Sequence, residues 1–258
     1  MLAGHGESLL MEKTNSGARP GSIVARVALL LAVAGPACAA GGALLAYHRI
    51  VAPFTGFRLF GLALPLAVLA ILVSVVALVR VRGGRNPKAR RRGRVAMTLG
   101  AMTFAAMVGL TLPSLGRPLI NDIATDPSDP PAFVHAGELA GNRGRDMSYP
   151  KEFAAQQKRG YPHLAPLYLK RPPAEAFDRA KRALESLPFA EITTVDPESG
   201  RLEATVESRI FHFIDDVVVR VQPYGRGSRV DVRSKSRDGR GDLGVNAMRV
   251  ETILTLIR

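Results

Sequence analysis

The chain offers almost nothing to thiol or soft-metal chemistry. It has one cysteine, Cys38, and no tryptophan. A single thiol excludes an intramolecular disulfide and a cysteine-based metal cluster. Cys38 lies inside an apolar run, where a thiol packs as a small residue. "GPAC" places Gly35 where a lipidation signal has an aliphatic residue, so lipidation of Cys38 is not expected. Acids are scarce in one half. Residues 1–116 hold 13 Lys/Arg against 2 Asp/Glu, and residues 117–258 hold 22 against 20. Of the net charge of +13, +11 thus belongs to the apolar half. Base concentrated beside apolar sequence is a pattern of membrane topology, and no nucleic-acid partner is expected.

Three uncharged apolar runs are present: Val27–Ala46, Leu59–Val79 and Val95–Gly116, of 20, 21 and 22 residues. About 20 apolar residues suffice for a spanning helix. Buried soluble helices are the competing reading, but the runs show almost no amphipathic stripe. Pro36 and Pro65 are expected to kink the first two spans, and Gly35, Gly41 and Gly42 to give the first a face for close helix contact. "RVRGGRNPKARRRGR", Arg80–Arg94, carries eight Lys/Arg and no acid. Such a loop stays cytoplasmic. The N-terminus, with Lys13, Arg19 and Arg26, then lies inside, Tyr47–Arg58 outside, and everything after Gly116 outside. A bacterial cytoplasmic (inner) membrane and a periplasmic C-terminal domain follow. For the first run a cleaved signal peptide, with "ACA" at Ala37–Ala39, is the alternative; its 26-residue leader is long for one.

After Gly116 the sequence turns polar. Arg117–Phe133 is rich in proline, and 117–160 reads as an extended tether. A packed domain is expected over 161–258. Pro166–Leu169, Phe189–Val195, Arg201–Ile210, Asp215–Gln222 and Arg229–Ser236 read as strands. "RPPAEAFDRAKRALESL" is a helix with Pro173 in its first turn and Phe177, Ala180, Leu184 and Leu187 on one face. Leu243, Ala247, Val250, Leu254 and Ile257 form the apolar face of a last helix. The expected architecture is a transmembrane helical bundle of three spans followed by an α+β domain. In that domain an antiparallel sheet carries helices on one face, in the order β-α-β-β-β-β-α.

"IATDPSDPPAF", "YPHLAPLYL", "PPAEAF", "LEATVES", "DDVVVRV" and "VDVRSKSRDGRGDLGVNAMR" resemble the family catalogued as domain of unknown function 1499. The likeness runs from about Ile120 to Arg258, and its last motif is long and ordered. The resemblance implies N-terminal membrane helices and no established activity. Many members carry a tryptophan upstream of the acidic pair; here Phe211 or Phe213 takes that place.

"YGRGS" predicts a two-residue hairpin loop at Gly225–Arg226, glycine first, as a type II′ turn requires. Val221 then faces Val230 and Val219 faces Val232. On the other side Arg220 faces Asp231 and Asp216 faces Lys235, as a solvated salt-bridge face. Asp215 and Asp216 point to opposite faces and form no acid/base dyad. In the same register Asp215 faces Ser236 and Val217 faces Ser234. Asp242 is the expected N-cap of the last helix, with Asn246 and Arg249 three residues apart along it. Asp215, Ser234, Ser236, Asn246 and Arg249 are therefore expected to converge where that helix crosses the sheet.

Such a convergence has three readings: a satisfied network fixing helix to sheet, the polar end of a ligand pocket, or an active site. His135, His163 and His212 are scattered, no serine has an evident base partner, and no metal-ligand spacing occurs. No metal or cofactor is expected. The Gly239–Gly244 corner suits an anion, but the Asp242 carboxylate competes for the same donors. "RGD" at Arg240–Asp242 reads as coincidence. The sequence leans toward a non-catalytic binding or interaction module. Its expected partners are the lipid bilayer and an unidentified extracytoplasmic ligand or protein. A hydrolase-like enzyme or a lipid- or small-ligand-binding protein using the Asp215/Arg249 region is the alternative.

Overall fold

The computed structural model describes residues 20–83 and 86–258. Lys13, Arg19 and Arg85, which enter the charge argument, lie outside these residues. The chain divides into two compact units that meet in sequence at Pro113/Ser114.

The first unit is helical. It contains α1 (Pro20–Tyr47), α2 (Pro53–Gly61), α3 (Ala63–Arg80) and α4 (Pro87–Thr111), followed by a single 3-10 turn at Leu112–Ser114. Among the described residues, three stretches are long and apolar enough to cross a membrane: Gly21–Tyr47, Pro53–Arg80 and Pro87–Ser114. Small side chains face inward. Ala63, Ala67, Ala70, Ser74 and Ala77 are the buried stripe of α3, and Ala89, Gly93, Ala96 and Gly100 lie on that of α4. Large apolar side chains such as Leu30, Leu72 and Met102 face outward. This distribution inverts that of a water-soluble bundle and matches helices packing within lipid. Gly42 and Gly56 let α1 and α2 touch: a Cβ on Gly42 would lie 2.5 Å from the Gly56 carbonyl oxygen. Gly41, expected on the same contact face, has open space beside it.

Two expectations for this unit change. Helix α1 continues unbroken through Pro36, whereas the second stretch breaks at Leu62, three residues before Pro65. Helix α4 begins eight residues earlier than the third apolar run. Asn86 caps it by accepting the Ala89 N–H at 3.0 Å, and Pro87 opens it. Lys88, Arg90, Arg91, Arg92 and Arg94 therefore stand on the first turns of α4 and not in a loop.

The second unit carries β1 (Asp122–Ala124), α5 (Phe153–Gly160), β2 (Leu167–Leu169), α6 (Pro173–Ser186), β3 (Ala190–Asp196), β4 (Arg201–Glu207), β5 (Ile214–Tyr224), β6 (Gly227–Ser236) and α7 (Val245–Ile257). All pairings are antiparallel, in the order β1-β6-β5-β4-β3, with β2 also against β6. Gly225 has φ +57° and the expected register holds along the whole β5–β6 hairpin. One face of the sheet packs Leu202, Val217, Val219, Val230 and Val232 against α6 and α7.

The other face departs from expectation. Glu203, Asp216, Asp231 and Arg233 on it are buried, not solvated. Residues 122–149, within the stretch read as an extended tether, cover them. Asp122 receives a two-point ion pair from Arg233, at 2.8 and 2.7 Å, and Lys235 at 3.1 Å. The Arg233 guanidinium also donates to the carbonyls of Pro131 and Met147 and lies against the Phe133 ring. Glu203 accepts three backbone N–H groups, from Val134, His135 and Ala136, at 2.7, 3.1 and 2.7 Å. Asp216 pairs with Arg237, not with Lys235 across the ladder. Arg229, on the same face of β6, bonds Asp126 and Asp231. Strand β1 is itself closed on its outer side: Gln157 of α5 exchanges two hydrogen bonds with Ala124, which blunts a sheet edge.

Removing the Arg233 guanidinium leaves Asp122 and two carbonyls short of their donor. The loss of one partner of a buried pair costs about 3–5 kcal/mol. Arg233→Ala should release the cover, and trypsin should cut at Arg143 and Arg145 at least tenfold faster in the detergent-solubilised full chain. An unchanged cleavage rate would show that the cover is held by other contacts.

Candidate functional site

The expected convergence lies where α7 crosses the ends of β5 and β6. Asp215 stands on the helix-covered face of β5, opposite Ser236. Ser234 is two residues back on β6. Arg249 Nη2 lies 2.7 Å from Asp215 Oδ2, and both side chains are nearly buried. Arg249 Nη1 donates to Ser234 Oγ at 3.0 Å and to Asn246 Oδ1 at 2.9 Å. Ser234 Oγ donates to Asn246 Oδ1 at 2.6 Å. Asn246 Nδ2 donates to Ser236 Oγ at 2.9 Å and to the Asn121 carbonyl at 3.2 Å. All five side chains are thus in one network. Asn121, the residue before β1, joins it through backbone, a link the sequence did not suggest.

Asp242 is not the N-cap residue that the sequence suggested. The N-cap position of α7 is Gly244, with φ +85°. Asp242 accepts the Gly244 N–H at 2.8 Å and the Asn246 N–H at 2.7 Å from two residues upstream. Burial holds its carboxyl above the ordinary aspartate range, against the lowering effect of those two donors. Leu243, expected on the apolar face of the helix, precedes the helix and is exposed; Ile253 is buried in α7 instead.

The hydrogen bonds of this network tie α7 to β5, β6 and the residue before β1. A serine nucleophile needs a base to take its proton. The Ser234 proton points at an amide oxygen, and its lone pair receives a guanidinium N–H. Two histidines pair elsewhere, His163 with Glu251 at 2.5 Å and His212 with Glu207 at 2.7 Å. Among the described residues, no three His, Cys, Asp or Glu side chains are grouped to hold a metal ion.

Clefts open on the second unit. One, of about 160 Å³, opens on the loop-covered face between Asn121, Asn142, Arg145, Lys235 and Arg237, and Ser236 reaches it. Asn142 Nδ2 donates to Asp216 and to the Ala136 carbonyl, while its buried Oδ1 has no partner. Another, of about 480 Å³, lies between Pro173 and Phe177 of α6, the Pro197–Gly200 turn and Val221. Asp215 and Arg249 line neither. The residues missed by sequence reasoning are those of the covered face: Asp122, Asn142, Glu203, Arg233 and Arg237. Part of their signal was present as charged residues at every second position of β6, Arg229, Asp231, Arg233 and Lys235.

Deleting the Arg249 side chain leaves Asp215 buried without a counter-ion, at a cost of about 3–5 kcal/mol. Arg249→Ala should lower the melting temperature of the full chain in detergent by several degrees or more. The paired variant Asp215→Asn/Arg249→Ala should lose less than the two single losses together, because the partners interact. Additive losses would exclude the pair as a coupled unit.

No curated protein and no solved structure matches the chain. A family model described as "Protein of unknown function (DUF1499)" matches residues 122–257. The match begins at Asp122, the first residue of β1 and the partner of Arg233, and it ends at the last residue of α7. It spans more than half of the chain, and the chain belongs to the DUF1499 family of proteins of unknown function.

Proposed function

We propose that this is a membrane-anchored protein whose C-terminal unit is a non-catalytic binding or interaction module outside the cytoplasm. The observation that carries the module reading is the closure of the Asp215/Arg249 network. Each of its five side chains is bonded to another group of the same domain. A network of this kind fixes α7 on the sheet. It presents neither a nucleophile with a base nor an unused charge to a substrate.

The anchor reading is supported by the three apolar helices and their outward-facing large side chains. The orientation rests on the basic residues Arg80 and Arg82 at the end of α3 and Lys88–Arg94 on the first turns of α4, which the positive-inside rule keeps cytoplasmic. The segment after α4 then emerges on the opposite side, in a bacterial cell the periplasmic face of the inner membrane.

Two experiments test this. A reporter that works only in the cytoplasm, fused after Arg258, should stay silent; activity there would overturn the orientation. Replacing a buried ion pair by apolar residues of similar volume is often neutral for stability. Asp215→Leu/Arg249→Met should therefore keep the folded domain and support whatever phenotype the wild-type gene supports. A folded double variant that fails in the cell would turn the network into a ligand or reaction site.

A further inference from the structure

The second unit has an apolar face that its own core does not use. Helix α7 buries Ala247, Val250, Ile253, Leu254 and Ile257, yet Val245, Met248 and Leu256 on its outer side are 40–48% exposed. A helix apolar on both sides is ordinarily covered on both sides. Just before it, Leu243 is 52% exposed and has φ +56°, a left-handed conformation that bulky residues rarely adopt. Strain of that kind persists where the surroundings over-determine it. Here the Leu243 carbonyl is held by Arg117 Nη1 at 3.0 Å. Leu119, 70% exposed, lies against Gly241, where a Cβ would come within 2.5 Å of its Cδ1. Leu119, Leu243, Val245 and Met248 thus form one apolar ridge.

Its chain position identifies what covers it. The third apolar stretch ends at Ser114. Five residues, at no more than about 3.5 Å each, connect Ser114 to Leu119. The Arg117 N–H already bonds back to the Ser114 carbonyl at 3.2 Å, so that connection is not fully extended. If Ser114 ends a span, the ridge stands within about 18 Å of the bilayer boundary. Basic side chains flank it. Arg240 is exposed beside Gly241, and Lys158 and Arg159 are exposed in the last turn of α5, whose Gly160 abuts Pro118. The nearby acids are engaged: Asp238 with Arg145, Asp242 with backbone N–H groups, Glu251 with His163. Apolar side chains rimmed by Lys and Arg are the composition of a surface that enters the headgroup layer of an anionic membrane.

We propose that the Leu119/Leu243/Val245/Met248 ridge is seated on the lipid surface, with Lys158, Arg159 and Arg240 on the lipid phosphates. The proposal rests on the anchor reading above. Single-cysteine variants of the full chain on a Cys38→Ala background test it. Leu243→Cys, Leu72→Cys in α3 and Glu198→Cys at the β3–β4 turn each receive an environment-sensitive fluorophore. The labelled proteins are reconstituted in phosphatidylcholine–phosphatidylglycerol vesicles that contain spin-labelled lipid. The position-243 probe should lose at least half its emission to a quencher near the headgroups, and the position-198 probe almost none. Lys158→Glu/Arg159→Glu/Arg240→Glu should cut the quenching at 243 several-fold. A position-243 probe that behaves like the one at 198, while the position-72 probe is quenched, overturns the docking and leaves the anchor intact. A blue-shifted but unquenched probe at 243 means cover by protein, a second copy included, and also overturns it. An unquenched probe at 72 sinks the anchor reading and the docking with it.

Discussion

The outer half of the C-terminal domain depends on one buried guanidinium. Arg233 sits near the centre of β6 with almost no exposure, and four of its N–H directions end on Asp122, Pro131 and Met147. Burying such a group is costly unless every partner is in place. The cost falls on the covering segment: 122–149 has to return to the sheet, because without it Arg233, Asp231 and Glu203 would be stranded. Strand β1, the Glu203 clamp on Val134–Ala136 and the Asn142–Asp216 contact are all parts of that return.

The two faces of the sheet are held by different physics. On the helix-covered face the valines of β5 and β6 lose water against α6 and α7, a term that scales with area and tolerates small shifts. On the loop-covered face cohesion comes from charge-assisted hydrogen bonds, which are directional and fail when one member moves. This asymmetry explains what the sequence revealed. Alternating valines and a 3.6-residue period can be read residue by residue, so strands β2 to β6, helices α6 and α7 and the hairpin register were legible, whereas β1 was not. The cover has no period. Its partners are about a hundred positions apart, as Asp122 and Arg233 are, and alternating charge on a strand looks the same whether water or a loop lies over it.

The candidate network was legible for a related reason. Once Gly225 sets the hairpin, the partners of Asp215 follow by counting, and a helix spacing of three brings Asn246 and Arg249 to the same end. Leu243 was misread because a helical period continues on paper past a point where the backbone turns left-handed. The glycines at 241 and 244 flanking it were the available sign. The start of α4 was misread for a comparable reason: a run of arginines looks like a loop, while Asn86 and Pro87 mark a helix start.

Strand β5 also has to choose its alignment, and most of it is indifferent. Val217, Val218 and Val219 present the same side chain to either face, so a slip by one residue changes nothing over that run. Its ends are not indifferent. Slipped one way, Arg220 enters the valine core and Arg237 meets a valine in place of Asp216. Slipped the other way, Asp216 enters the core and Arg249 meets Ile214 in place of a carboxylate. The adjacent aspartates, with the arginine four residues on, thus act as an alignment mark for a strand whose middle carries none. A chain neutralised at these positions could retain most of its apolar burial and still assemble β5 against β4 and β6 out of step.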